Sequence, residues 1–276
     1  RALDEQHRLG LVDVEDRHAV DRRFRVGLGR RVGDVVGADH EGDIGLGEDF
    51  IDGAWDTASV EKLFSLFLLN MDALSGFANG NLLNRIGFVL TDTFLRRNSV
   101  EGSSKNIKAH YDVGNDFYKL WLDETMTYSS ALYEGAELSL ADAQRRKYGR
   151  ILSKFTKDRA EVLEIGCGWG GFAEQAAARR HAVTGLTISP AQAAFATERL
   201  KGTAEVRLED YRHVKGAYDM IVSIEMFEAV GERYWKQFFS VVAERLKRGG
   251  RAVIQTITIR DELFAGYRTR SDFIRH

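Results

Sequence analysis

The 276-residue sequence is 44% hydrophobic, enough to bury one large core or two small ones. Its formal net charge of −2 leaves no electrostatic footprint for nucleic acid, and its single cysteine, Cys167, excludes a disulfide framework and a cysteine zinc site. No secretory signal peptide is visible, and no apolar run approaches the roughly 18–20 residues of a membrane span, 63–69 being the longest.

Residues 1–41 are built from Arg, Val, Asp, Gly and His, with no lysine before Lys62. Neither helical nor strand periodicity persists there. Three readings stand side by side: an irregular β-rich start, compositional disorder, and a GC-rich gene translated in the wrong frame. No fold is assigned to this stretch. From Gly45 the texture changes. GLGEDFIDGAWD places two turn signals around a short apolar piece. Ser59 then opens a helical pattern with Val60, Leu63, Phe64, Phe67 and Leu68 on one face. A second amphipathic stretch covers 82–94. The polar run RRNSVEGSSK (96–105) is the candidate linker, with the boundary at 99–104. It separates a small, mainly helical N-terminal domain (42–98) from an α/β domain (105–276).

HYDVGNDFYKLWL (110–122) has apolar residues at helical spacing and is followed by MTYSSALY. A long helix is expected over 140–155, with Arg145, Arg146 and Lys147 forming a basic face. Strands and helices then alternate: strand 162–165, helix 171–180, strand 182–186, helix 190–200, and strands 205–208 and 218–224. Helix 233–247, a Gly249-Gly250 turn and strand 251–257 complete the pattern. That alternation implies right-handed crossovers and a parallel, doubly wound sheet. A Rossmann-like sheet ordinarily has one or two more strands than this, so the sheet reads as truncated at its carboxyl end.

The chain is organised around VLEIGCGWGGF (162–172), where a buried strand turns through glycines into a helix. Such a turn presents backbone N–H groups and a helix N-terminus at the strand's carboxyl end, the place for a nucleotide-like ligand. Gly166, Gly168 and Gly171 fit G-x-G-x-x-G, which dinucleotide enzymes share. Those enzymes carry an acidic residue about 20 positions on, at the end of the second strand. Here that strand ends GLTISPAQ, without a carboxylate, which argues against NAD. No G-K-[ST] follows the glycines, which excludes a P-loop.

VLEIGCGWGG, GLTISPAQ, LEDYR and SIEMFEAVG, in that order and spacing, resemble the cyclopropane-fatty-acyl-phospholipid synthase and mycolic acid synthase family of S-adenosylmethionine-dependent methyltransferases. HYDVGNDFYKLWLDETMTYSSALY is similar to that family's cofactor lid, and IDGAWD to its N-terminal domain. The resemblance runs from about residue 42 to 276 and implies a Rossmann-like class I methyltransferase sheet. It also implies S-adenosylmethionine as cofactor, contacted by Tyr128, Ser129, Gly166 and Gly168 at the methionine part. Thr187 and Gln192 would lie at the ribose and Asp210 and Tyr211 at the adenine, with Ile224 nearby. Read singly, Thr187 is equally a strand-end cap and Tyr211 a core aromatic.

The reaction implied is attack of an acyl-chain alkene on the sulfonium methyl, leaving a carbocation that loses a proton to a base. In the family that base is a bound bicarbonate, held by glutamate, histidine, cysteine and tyrosine. Glu228 matches the glutamate and Tyr111 the HYD tyrosine, while Glu225 reads as a solvated helix-start residue. The family's cysteine falls at Ser130, and its histidine, in HTI, falls at Gln255 in QTI. Both replacements donate hydrogen bonds, but neither titrates near neutral pH. Ring closure is therefore an open question, with a methyl- or methylene-branched chain as the alternative product. His110 and His276 are weaker candidates for a replacement base.

Three functions follow as expectations: methyl(ene) transfer to an unsaturated phospholipid acyl chain, methylation of a soluble small molecule, and a cofactor-binding fragment without chemistry. The first implies a cytoplasmic protein held peripherally at the membrane's inner face by the N-terminal domain and the basic face. No nucleic-acid partner and no metal are expected. Oligomeric state is left open, a homodimer among the options.

Overall fold

In the computed structural model the described residues are 47, 49–70, 114–135 and 137–267. Residues 1–41, the second amphipathic stretch and the linker at 99–104 lie outside them. The described residues divide into two compact units: those up to residue 70 together with 260–267, and 114–259. No helix among them is long and apolar enough to cross a membrane.

In the first unit, α1 (Val60–Leu69) starts where Ser59 Oγ accepts the Lys62 N–H at 3.2 Å. Only Leu63 of its apolar face is buried. Trp55 is buried with its ring 4.7 Å from Phe50. A second helix, described below as α7, spans Asp261–Tyr267.

The second unit is a doubly wound α/β layer. It begins with the short helix α2 (Asn115–Lys119) and the longer α3 (Leu140–Leu152), which Ser139 caps through the Asp142 N–H. Then come β1 (Glu161–Ile165), α4 (Gly171–Ala178), β2 (Ala182–Thr187) and α5 (Pro190–Leu200). They are followed by β3 (Glu205–Leu208), β4 (Tyr218–Ile224), α6 (Trp235–Arg245) and β5 (Leu246–Gln255); α7, next in the chain, belongs to the first unit. All four strand pairings are parallel, in the order β3-β2-β1-β4-β5. The order reverses between β1 and β4, so the crevice at their carboxyl ends is the place for a ligand.

The period-2 alternation of the strands builds two cores. Val162, Met220 and Val222 face α3, α4 and α5 with Tyr148, Phe172, Ala176 and Leu200. Leu163, Ile165 and Ile221 face the opposite side, with Phe238 and Val242 of α6. Two expectations are corrected. The strand expected at 251–257 begins at Leu246, and the Gly249-Gly250 pair is not a turn before it. The pair lies inside the strand beside a register shift between Tyr218 and Met220. Gly249 has φ +79°, and a Cβ on Gly250 would come 2.9 Å from the Asp219 carbonyl oxygen, so the glycines serve a bulge. The second correction concerns the basic face. Lys147 is 5% exposed and points inward, while Arg145 pairs with Asp142 and Glu124, and Arg146 with Glu134.

Candidate functional site

The glycine turn is anchored to β2: Gly166 and Cys167 donate their N–H groups to the Leu186 carbonyl at 3.0 and 2.8 Å. Gly166 has φ +82°, and a Cβ there would come 2.7 Å from Met226 Cγ, so two of the motifs pack directly on one another. Gly168, at φ +54°, faces open space, with nothing within 4 Å of where a Cβ would stand. A ligand can therefore approach the backbone there. Just upstream, Glu164 is fully desolvated, and its Oε2 has no hydrogen-bond partner. Burial pushes this carboxyl well up, against the Ala173 N–H and the Lys147 charge. A buried acceptor before the glycine turn fits the ammonium of an amino-acid ligand.

Beyond β2, Thr187 Oγ1 donates to Gln192 Oε1 at 2.9 Å and accepts the Ser189 N–H at 3.2 Å. Thr187 is thus both a strand-end cap and a neighbour of the residue expected beside it at the ribose. Asp210 is held on both oxygens by Arg212, at 2.8 and 2.6 Å, and also accepts the Arg212 N–H. Burial raises its carboxyl, but these bonds outweigh it and hold it below the usual range. Tyr211 packs edge-to-face on Phe238 at 5.5 Å. Tyr128 is 45% exposed and meets Trp121 in a T-shaped contact at 5.3 Å. Ile224 ends β4 and packs on the α3–α4–α5 core.

The candidate catalytic residues fall into two separate hydrogen-bonded groups. Ser130 and Gln255 are brought together, but around Glu225 and not Glu228. Ser130 donates its N–H (3.0 Å) and hydroxyl (2.7 Å) to Glu225 Oε1, and Gln255 Nε2 donates to the same oxygen at 2.8 Å. Gln255 Nε2 also reaches Ser130 Oγ at 3.2 Å. Glu225 is therefore not a solvated helix-start residue. It sits at the end of β4 with φ +47°, a conformation rare for a side-chain-bearing residue and concentrated at functional sites. Glu228 lies in the following turn, where its Oε1 accepts from Thr256 Oγ1 (2.7 Å) and from the Ile257 N–H. It fastens the chain just after Gln255. Tyr111, His110 and His276 lie outside the described residues.

Bicarbonate does not fit these residues. The Ser130 and Gln255 donors that would hold it are spent on a protein carboxylate, and a second anion there would face the charge of Glu225. Sequence reasoning missed Glu225, Lys147 and Gln144. The i,i+3 spacing of the last two was the available signal, since it puts both on one face of α3.

The family model for mycolic acid cyclopropane synthetase matches residues 98–276. The chain belongs to that family. Its sheet is the Rossmann-like fold of the class I S-adenosylmethionine-dependent methyltransferases, and the expected cofactor, S-adenosylmethionine, agrees with that membership. The chain is 35% identical over 248 residues to the tuberculostearic acid methyltransferase UfaA1 of Mycobacterium tuberculosis, covering 84% of this chain and 56% of the relative. It is likewise 35% identical over 227 residues to the cyclopropane-fatty-acyl-phospholipid synthase of Escherichia coli K12, covering 79% of this chain and 56% of that one. The chain thus spans little more than half the length of these curated relatives. Among solved structures, the cyclopropane synthase MmaA2 from M. tuberculosis superposes with a TM-score of 0.56 at 30% identity, over 66% of this chain and 65% of that one. Mycolic acid cyclopropane synthase CmaA1, complexed with SAH and CTAB, gives 0.53 at 32% identity over 55% of each chain.

Proposed function

We propose that this synthetase-family chain transfers a methyl group from S-adenosylmethionine to the double bond of an unsaturated acyl chain in phospholipid, with Glu225 as the base. The observation that carries this reading is the Ser130–Glu225–Gln255 cluster. Its three donors all fall on Oε1, and Oε2 carries none of these bonds. Family membership and the phospholipid substrate named for the E. coli relative support the substrate class.

Bound S-adenosylmethionine supplies an electrophilic methyl on a sulfonium. Gly168 leaves room for that cofactor at the turn, Glu164 offers an acceptor, and Thr187, Gln192, Asp210 and Tyr211 flank its far end. The alkene π pair forms the new C–C bond as the C–S bond breaks, and the positive charge passes to the neighbouring chain carbon. Ser130 and Gln255 hold Oε1 so that Oε2 is left to accept a proton from the transferred methyl. If the C–H pair closes directly onto the cation, the product is a cyclopropane. If a hydride shifts first, the same proton loss gives a methylene branch. Both products carry one extra CH₂ and release one proton. The acyl substrate implies work at a membrane surface, on the cytoplasmic side. Lys147 is buried and cannot take part in that contact, which leaves only Arg145 and Arg146 of the basic face, both half-exposed in surface ion pairs.

The test incubates the protein with vesicles of unsaturated phospholipid and S-adenosylmethionine, then reads acyl masses. A gain of one CH₂ supports the reading, and a double-bond assay on the product separates ring from methylene. Methylation of soluble acceptors alone, with no change in any unsaturated lipid, would overturn it.

A further inference from the structure

The segment carrying Ser129 and Ser130 is fastened to one face of α3. Gln144 Nε2 donates to the Ser129 carbonyl at 2.7 Å. Three positions on, Lys147 Nζ donates to Ser129 Oγ at 2.6 Å and to the Ser130 carbonyl at 3.0 Å. Tyr148 OH bonds Thr127 Oγ1 at 2.7 Å. Lys147 thus contacts one residue expected at the cofactor and the next one, which grips Glu225.

A buried ammonium is costly unless its charge and donors are matched. Were Lys147 needed only to fill space, an apolar side chain of equal length would do so without desolvating a charge. Two of its three donors are taken by Ser129 and Ser130. Three carboxyl groups on other elements act on its charge: Glu225 after β4, Asp123 in the loop beyond α2, and Glu164 on β1. From its own helix the Tyr148 ring lies 5.0 Å away, and Arg150 and Lys154 line the same cleft. Burial pushes the ammonium down to about 8, against the pull of the three carboxyl groups.

We propose that Lys147 is a positioning residue for proton removal: it fixes the Ser130 peptide so that its N–H and hydroxyl stay aimed at Glu225, and it holds its positive charge one hydrogen-bonded residue away from that carboxylate. This rests on Glu225 being the base.

Two measurements on the full chain test it. The first follows the Lys147 Nζ titration by NMR, assigned through the backbone, in the unaltered protein and in Glu225→Gln. Loss of the opposing charge is expected to lower the midpoint by about one pH unit; an unmoved midpoint overturns the proposal. This arm leaves Lys147 in place, so it stands even if substitution there prevents folding. The second measures kcat on unsaturated phospholipid vesicles at saturating S-adenosylmethionine. Lys147→Met is expected to lower kcat about tenfold or more in the unaltered protein, yet about twofold or less in Glu225→Gln, because the two act as a unit. Equal losses in both backgrounds overturn it. Near-normal turnover of Glu225→Gln alone refutes the base itself, whereas a full loss there with an unmoved Lys147 refutes only the positioning role.

Discussion

Ser130 grips Glu225 across 95 residues of sequence, giving one carboxylate oxygen both its backbone N–H and its hydroxyl. The bond joins the lid-like segment before α3 to the carboxyl end of β4. It places a charged residue where the family resemblance led us to expect a small bound anion.

Glu225→Gln is therefore expected to keep the fold and the cofactor affinity while losing about 10²–10⁴-fold in kcat, the range for a general base. Calorimetry with S-adenosylmethionine beside turnover on lipid vesicles checks it. Loss of both together would make Glu225 a structural residue.

Gly166→Ala adds a methyl 2.7 Å from Met226 Cγ at a backbone φ of +82°. Left-handed strain and the clash together are expected to destabilise the domain by about 2 kcal/mol or more. Urea unfolding measures this. Gly168→Ala has the strain but open space around it, and is expected to lose less stability.

Glu164 is buried, with Oε2 unpartnered and its carboxyl pushed well up by desolvation. A group raised in the folded state contributes most below its unfolded pKa, and that contribution is lost as pH rises through the folded value. Glu164→Gln is thus expected to gain on the unaltered protein as pH rises, by about 1–3 kcal/mol, while binding S-adenosylmethionine more weakly. Melting curves at pH 5 and pH 8 check the sign. A constant difference between them would mean that Glu164 does not titrate differently on folding.

Asp219 shows the opposite sign. Hydrogen bonds from Lys157 and the Glu161 N–H, with Lys247 adding its charge, hold its carboxyl at about 2. A lowered carboxylate stabilises above the unfolded value and loses that contribution as pH falls towards 2. Asp219→Asn should be clearly weaker than the unaltered protein at pH 7, and the gap should close towards pH 2. Unfolding midpoints across that range are the readout.

Much of the fold was legible from pattern. β3 and β4 fall on the residues expected of them, because the alternating EVRL and the largely apolar YDMIVSI, each following a glycine turn, leave little choice of period. The Gly249-Gly250 pair misled because a glycine pair signals a turn and a bulge alike. Lys147 was grouped with Arg145 and Arg146 because they are adjacent in sequence. On a helix each residue turns about 100° from the last, and Lys147 belongs with Gln144. Glu225 was hidden for a different reason. Its role comes from a left-handed φ and from partners 95 and 30 residues away, neither of which a motif of nine residues contains.

The most direct measurement compares acyl masses from unsaturated phospholipid vesicles after incubation with S-adenosylmethionine and either the unaltered chain or Glu225→Gln. One added CH₂ with the first and none with the second is expected. Equal products from both would contradict a base at Glu225, and no added CH₂ with either would contradict the lipid substrate.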